Sequence, residues 1–204
     1  MIETLLRSIA DFHRHRSDRQ TFPMLEQVQT ALDELIGQFD RGELKLTVDT
    51  RPLPVADHLK AAASSGNPAT DMVLQEFKRV APLLPWRQTA GYLDVFDSSY
   101  LDNYGYVQLI GPGSIVEHPS VRVGVGVWGP NLHYPMHSHE AEELYDVLSG
   151  EPSFTLAESP ARATKPGDAV HNPPWQPHAL DFGAAPTVLL YCWTGAVVGD
   201  AALL

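Results

Sequence analysis

Residues 129–150 read GPNLHYPMHSHEAEELYDVLSG. Within them, His137-Ser-His139 places two imidazoles two residues apart, and Glu143 and Tyr145 follow at even offsets. Residues two apart on a β-strand project from the same face, so this spacing predicts that the four side chains share one strand face. Imidazole nitrogens and a carboxylate together suit a divalent first-row metal in an open site, which leaves room for water or a substrate.

Histidine is concentrated around this stretch. Five of the nine histidines fall between residues 133 and 178, namely His133, His137, His139, His171 and His178. Residues 166–178 read PGDAVHNPPWQPH and supply the last two. Single histidines often cap loops or complete core hydrogen bonds. The full pattern, His-x-His-x3-Glu-x6-Gly followed by Pro-Gly-Asp and a further histidine, is too specific for that explanation and indicates a metal site.

These two segments resemble the two sequence motifs of the cupin family. Cupins are double-stranded β-helix barrels, also called jelly rolls, that hold a metal in the barrel mouth. The resemblance implies four metal ligands: His137, His139, Glu143 and His178. The chain departs from the family pattern in a longer gap before His137, and His171 could also take the second-motif position. The ending Pro-Pro-Trp-Gln-Pro-His resembles the usual motif and favours His178.

Two tyrosines near the histidines point to one particular group within the cupins. Tyr134 lies five residues before His139, and Tyr145 lies two residues after Glu143. With a helical N-terminal segment and 204 residues, this pattern resembles the cupin-type dimethylsulfoniopropionate lyases, notably the Q type. Members of that family cleave a small zwitterionic sulfonium acid into dimethyl sulfide and acrylate. The resemblance therefore implies a carbon-sulfur lyase that uses a metal and an active-site tyrosine for β-elimination.

The chemistry of this elimination assigns roles to three aromatic side chains. A base must remove the proton next to the carboxylate, and a free tyrosine, with a pKa of about 10, is too weakly ionised unless a cation lies nearby. We expect Tyr145 to be that base, and Tyr134 to orient the carboxylate or share the proton. Aromatic faces bind cations, tryptophan most strongly, so Trp193 is the candidate for the sulfonium if its strand face is inward.

The expected cofactor is one divalent transition metal, because histidine and glutamate ligands accept zinc, iron(II), manganese, cobalt or nickel. Two alternative functions stay open at this point. One is another metal cupin enzyme, such as an isomerase or an Fe(II) dioxygenase, and the other is a non-catalytic cupin that binds a small molecule. A binding protein has no need of a phenolate base beside a metal, so the tyrosines favour the lyase.

Composition excludes several classes of partner. The 14 Lys and Arg residues are outnumbered by 25 Asp and Glu, and the formal charge of −11 argues against nucleic-acid binding. No apolar run approaches the ~18 residues that span a bilayer, and Glu3, Arg7 and Asp11 interrupt any signal peptide. We expect a cytoplasmic monomer or homodimer without a membrane partner. The single cysteine, Cys192, excludes an internal disulfide.

The chain divides into two parts with different patterns of apolar residues. Residues 1–85 carry apolar residues at helical spacing, and residues 86–204 carry short runs broken by Gly and Pro. We expect a mainly β protein in which an N-terminal helical segment, 1–85, packs on a cupin barrel, 86–204. In the first helix His13 and His15 are expected at the surface. The first predicted helix carries its apolar stripe over residues 5–12, and the other two cover about 23–39 and 70–84. The predicted strands cover 104–110, 121–128, 143–148, 152–157, 169–172, 179–182 and 188–193.

Overall fold

A computed structural model of the chain describes residues 1–157 and 159–204. Within those ranges the α-helices are Ile2–His15 (α1), Met24–Asp40 (α2), Pro68–Val80 (α3) and Ser98–Leu101 (α4). Short 3-10 helices cover Arg19–Thr21, Pro54–Lys60, Ala81–Leu83 and Ala90–Tyr92. The strands are Tyr104–Ile110 (β1), Val121–Trp128 (β2), His133–Ser138 (β3), Glu142–Ser149 (β4), Ser153–Leu156 (β5), Arg162–Ala163 (β6), Ala169–Asn172 (β7), His178–Asp181 (β8), Thr187–Thr194 (β9) and Ala202–Leu203 (β10).

The three predicted helices are confirmed as α1, α2 and α3. In α3, Pro68 takes the first turn and the Asn67 side chain accepts a hydrogen bond from the Ala69 amide, which caps the helix. The regular helix ends at Val80, earlier than expected, because Pro82 has no N–H to donate to the preceding turn, and the chain continues as the short 3-10 helix Ala81–Leu83. None of the helices in the described part of the chain is both long and apolar enough to cross a membrane.

The strands form two antiparallel five-stranded sheets with the orders β1-β2-β9-β4-β7 and β10-β3-β8-β5-β6. The pairs are nested along the chain: β2 pairs with β9, β3 with β8, β4 with β7 and β5 with β6. Successive pairs alternate between the two sheets, which is the jelly-roll arrangement that cupins share. The predicted cupin fold, mainly β with N-terminal helices, is confirmed.

The even spacing around His137 does not lie on one strand, contrary to the prediction. β3 was not predicted, since Pro135 interrupts its alternation and proline is disfavoured within a sheet. The chain turns after Ser138, so that His137 belongs to one sheet and Glu143 to the other. The motif residues therefore meet across the barrel and not along a single strand face.

Alternation on the central strands gives the first sheet two different faces. On β2 the odd-numbered valines, from Val121 to Val127, pack with the helices in one apolar core. The buried thiol of Cys192 on β9 belongs to the same core, as does Leu144 on β4. The opposite face carries a second cluster rich in aromatic rings, which includes Tyr145, Tyr191 and Trp193. Trp193 is thus on the inward face of its strand.

Two glycines of β2 permit this aromatic interior. Side chains at 124 and 126 would face inward, where a Cβ on Gly124 would collide with the Tyr191 phenol and one on Gly126 with the Trp128 ring. The interior is therefore filled from neighbouring positions, and the missing side chains make room for two large rings.

His13 is fully buried, contrary to the expected surface position. It follows Ile9 by four residues and so falls on the apolar face of α1. Its Nε2 lies 3.2 Å from Asp146 Oδ2, and Arg16 donates to Asp146 Oδ1 at 2.7 Å. Asp146 is an outward residue of β4, so this buried ionic group fixes α1 to the strand that also carries Glu143 and Tyr145.

The shared core predicts that the helical segment and the barrel unfold together. We expect Ile9→Ala, at a fully buried position of α1, to lower the free energy of unfolding by about 2–5 kcal/mol. Helical circular dichroism and tryptophan fluorescence should be lost in one transition during urea titration. Met72→Ala, at an exposed position, is the control and should change little. A separate helical transition that leaves the barrel fluorescence intact would contradict the proposed packing of residues 1–85.

Candidate metal centre

Glu143 is the central buried carboxylate of the barrel interior, with 1% of its surface exposed. Its neighbours in register are Trp193 on β9 and Asn172 on β7. The Trp193 indole donates to Oε1 at 2.6 Å, and the Asn172 amide donates to Oε2 at 2.9 Å. A buried charge must be compensated by donors or by an opposite charge, and strand pairing delivers two donors here. The carboxylate is therefore held in one orientation.

Two histidines direct nitrogen atoms at the same carboxylate. His139 Nδ1 is 2.9 Å from the Ala141 carbonyl, and His178 Nδ1 is 2.8 Å from the Gln176 carbonyl. A carbonyl only accepts, so each Nδ1 carries a proton, and each ring in its neutral form presents an Nε2 lone pair. These Nε2 atoms lie 3.1 Å and 3.3 Å from Glu143 Oε2.

This donor set fits a divalent cation. The group formed by His139, Glu143 and His178 offers one ligand atom per residue, all within 4.8 Å of one another. His178 Nε2 is buried and makes no hydrogen bond within residues 1–157 and 159–204. Two lone pairs and a carboxylate oxygen repel one another unless a proton or a metal lies between them, and backbone carbonyls fix the outer nitrogens as they do in metal sites.

The charges of the site favour an anionic carboxylate. Burial by itself raises the pKa of Glu143, but the neighbouring imidazoles of His139 and His178 together lower it more, and the net pKa lies well below the ordinary value. For His139, burial lowers the pKa, and the Glu143 charge and hydrogen bond outweigh it, so the net pKa is raised. The site thus holds a fixed negative charge that attracts a cation.

His137, the other predicted ligand, lies beside this group and not within it. Its Nδ1 is 2.7 Å from the Pro135 carbonyl. Its ring centroid is 4.0 Å from that of His178 but 6.4 Å from that of His139, and it stacks on Tyr134. Burial, with a contribution from His178, lowers the pKa of His137 to about 3. A neutral His137 therefore presents its Nε2 next to the site.

Both candidate tyrosines line the same pocket as His137 and His139. Tyr145 follows Glu143 on the inner face of β4, and its ring centroid is 6.4 Å from that of His178. The Tyr134 hydroxyl hydrogen-bonds the Tyr92 hydroxyl at 3.0 Å. Burial raises the pKa of Tyr145 well above the ordinary value, and the Glu143 charge raises it further. Burial likewise raises the pKa of Tyr134.

Trp193 lies in the pocket wall, where both its indole N–H and its ring make contacts. The indole N–H is bound to Glu143, as described above. Its ring stacks on His139 with centroids 4.2 Å apart, and the Arg122 guanidinium lies 4.5 Å from the ring centroid. The sequence analysis identified neither the N–H bond nor Arg122. Alternation along β2 could have placed Arg122 inward, since it lies at an even offset from Gly124 and Gly126.

Two further histidines of the cluster lie away from the centre. His171 on β7 is in register with the outward residue Leu144, and its Nε2 lies 2.8 Å from Glu142 Oε1. His133 is exposed and lies 2.7 Å from Asp181. Strand alternation therefore separates His171 from the pocket, and His178 is the second-motif histidine that belongs to the candidate metal-binding group.

Comparison with known proteins identifies the family. A model of the dimethylsulfoniopropionate lyase family matches residues 28–189. The chain belongs to this family. It is 35% identical over 98 residues to the dimethylsulfoniopropionate lyase DddQ of Ruegeria pomeroyi, an overlap that covers 48% of this chain and 49% of that protein. The chain thus aligns with about half the length of the curated relative. The predicted family is confirmed, and with it the class of carbon-sulfur lyases to which the family belongs.

Solved structures of the family have the same architecture. A chain from the crystal structures of the dimethylsulfoniopropionate lyases RdDddP and RnDddQII superposes with a TM-score of 0.80 and 27% identity, covering 100% of this chain and 97% of that one. The crystal structure of DddQ from Ruegeria pomeroyi DSS-3 gives a TM-score of 0.69 and 26% identity, covering 86% and 94%. These likenesses extend over the helices as well as the barrel.

Removing one imidazole tests the metal centre. We expect His139→Ala to weaken binding of a divalent metal by more than the about 10–100-fold that the loss of a supporting hydrogen bond costs. Metal content after dialysis, measured by mass spectrometry, reports the loss. His133→Ala, at an exposed histidine, is the matched control and should retain the metal. Equal metal content in both variants would contradict the assignment.

Replacing the Trp193 indole by a phenyl ring tests the N–H hydrogen bond separately from the aromatic ring. Trp193→Phe keeps an aromatic ring and removes the N–H that holds Glu143 Oε1. Since such supporting bonds orient a ligand, metal affinity should fall about 10–100-fold. Competition with a chromophoric chelator measures the affinity, and circular dichroism checks the fold. Unchanged affinity would show that the indole N–H does not support the centre.

Proposed function

We propose that this protein is a metal-dependent lyase that cleaves dimethylsulfoniopropionate into dimethyl sulfide and acrylate by tyrosine-assisted β-elimination. One observation carries the proposal: in a member of this family, His139 and Glu143 of a buried group of two histidines and a glutamate line a pocket together with Tyr145. The family members named above are dimethylsulfoniopropionate lyases. The pocket also combines aromatic walls with a few polar groups, which suits a small zwitterion.

The proposed ligands are His139, Glu143 and His178, with His137 as the fourth member of the predicted set. The backbone carbonyls that bind the Nδ1 atoms keep each Nε2 lone pair available, and the Trp193 and Asn172 donors keep the carboxylate oriented. A divalent metal held by these residues would supply positive charge that favours the Tyr145 phenolate and the negative charge developing on the substrate carboxylate.

Tyr145 is the proposed base. In the reaction the phenolate oxygen takes the proton from the carbon next to the carboxylate. The electron pair of that C–H bond becomes the double bond of acrylate, and the pair of the C–S bond leaves on sulfur as neutral dimethyl sulfide. Because burial and Glu143 raise the pKa of Tyr145, the phenol keeps its proton until positive charge is present. Tyr145 would therefore act as a base only when a metal ion is bound nearby.

Tyr134 and Trp193 complete the proposed pocket. Tyr134 is held between the Tyr92 hydroxyl and the His137 ring, so its phenol is fixed where it can orient the carboxylate or share the proton. Trp193 is the predicted partner of the sulfonium end, but its ring carries the Arg122 guanidinium and stacks on His139, so we propose that the other aromatic rings lining the pocket bind that end. Enclosure by rings also excludes water from the reacting carbon.

The remaining parts of the proposal concern the state of the enzyme. We propose one divalent transition metal per chain, drawn from zinc, iron(II), manganese, cobalt and nickel, since the nitrogen and oxygen ligands accept each of these. We also propose a cytoplasmic monomer or homodimer. Elemental analysis of protein purified from its own host and light scattering of the purified chain test these two points.

Loss of one hydroxyl tests the base. We expect Tyr145→Phe to retain the metal and the fold while acrylate formation falls at least ~10²–10⁴-fold, mainly in kcat, because that is the usual contribution of a general base. Acrylate is measured by liquid chromatography and dimethyl sulfide by headspace gas chromatography. Tyr100→Phe is the matched control: this buried tyrosine lies outside the pocket, and its hydroxyl has no hydrogen-bond partner in the described ranges.

The same assay on Tyr134→Phe separates the two phenols. If Tyr145→Phe turns over normally with full metal content, Tyr145 is not the base. A collapse confined to Tyr134→Phe would then assign the proton to Tyr134. No dimethyl sulfide from the metal-loaded wild type would contradict the proposed function as a whole.

A further inference from the structure

Arg122 is a buried cation in the pocket for which the proposed reaction has no role. It lies on the inner face of β2, in register with Trp193, and only 7% of its surface is exposed. It lines the same space as His139, Glu143 and Tyr145. Its guanidinium is stacked against the Trp193 ring, which fixes its plane.

The hydrogen-bonding capacity of Arg122 is unused within the described residues. Its Nε–H is buried and has no partner among them. The nearest carboxylate is that of Asp200, whose Oδ1 lies 3.9 Å from Arg122 Nη1, too far for a hydrogen bond, and whose side chain is half exposed. A guanidinium has five N–H donors and a planar fork that matches a carboxylate. Keeping such a group buried without a partner is costly, so an anionic ligand is the expected complement.

The two ends of β2 give the pocket one positively charged end and one aromatic end. Arg122 and Trp128 occupy opposite ends of the strand, six residues or about 20 Å apart along the backbone, and both line the pocket. Around Trp128 the neighbouring rings are those of Tyr104, Tyr134 and Phe182. A cationic sulfonium is repelled by Arg122 and attracted by these rings, whereas a carboxylate is attracted by the guanidinium.

We propose that Arg122 binds the carboxylate of the substrate and so selects short carboxylic acids over their neutral analogues. This inference rests on the proposed function for the identity of the substrate, dimethylsulfoniopropionate. The class of ligand, a short carboxylic acid, follows from Arg122 alone. Arg122 does not touch the carbon that loses the proton, so it is a specificity-determining residue. The guanidinium repels the sulfonium end, which is thereby kept away from Arg122 and among the aromatic rings that line the pocket.

Propionate and propionamide test this assignment, because they share a shape and differ in charge. Binding to the metal-loaded enzyme is measured by isothermal titration calorimetry. We expect wild type to bind propionate more tightly than propionamide. Arg122→Met, which keeps the length but not the charge, should weaken propionate binding at least ~10-fold, the usual value of a hydrogen bond to a charged group. Propionamide affinity and metal content should stay unchanged.

Two further variants keep the test decisive. Arg51→Met removes a charge from an exposed arginine outside the pocket and should bind propionate as wild type does. Arg122→Lys keeps the charge without the planar fork, so its affinity should fall between wild type and Arg122→Met, even if the methionine variant fails to fold. Wild-type propionate affinity in the Arg122 variants that fold would overturn the proposal.

Kinetics provides a second readout. With dimethylsulfoniopropionate, the Arg122 variants should raise KM at least ~10-fold, with a smaller effect on kcat, since the lost contact is present before and during the reaction. A normal KM would overturn the assignment. If wild type releases no dimethyl sulfide but still binds propionate through Arg122, the proposed function fails and the carboxylate site stands.

Discussion

A carboxylate with only 1% exposure has to be matched by donors, and Glu143 is matched from several directions at once. Trp193 binds it from β9, Asn172 from β7, and the two imidazoles of His139 and His178 reach it from outside β4. Each of these contacts requires the strands to pair in one register, because a slip of one residue turns every side chain to the other face. The compensated charge therefore fixes both the sheet and the metal centre.

The same alternation connects the centre with the helices. Glu143 and Tyr145 point into the barrel, while Leu144 lies in the apolar core that the helices share and Asp146 bonds His13 of α1. Among the described residues, those lining the pocket all come from position 89 onward. The helices therefore contribute indirectly: they cover the outer face of β4 and hold the strand whose inner face carries Glu143 and Tyr145.

Much of this architecture is readable along the chain, and the errors have local causes. Helical and strand periods locate the three longer helices and seven of the strands, and the motif spacing leads to the family. β3 escapes notice because Pro135 breaks its alternation. His13 is buried and not at the surface, because it follows Ile9 by four residues and the helical period places it on the apolar face of α1.

By itself, the sequence determined the cupin barrel, the helical segment and the residue types of the centre, because periodicity and motif spacing are properties of neighbouring positions. The tertiary structure decided which of those residues meet. It brought His139 and His178 to Glu143, left His137 beside them, and set Arg122 against Trp193. The reason is physical: these contacts join segments up to about 70 residues apart, and they depend on strand register and barrel closure, which no local preference encodes.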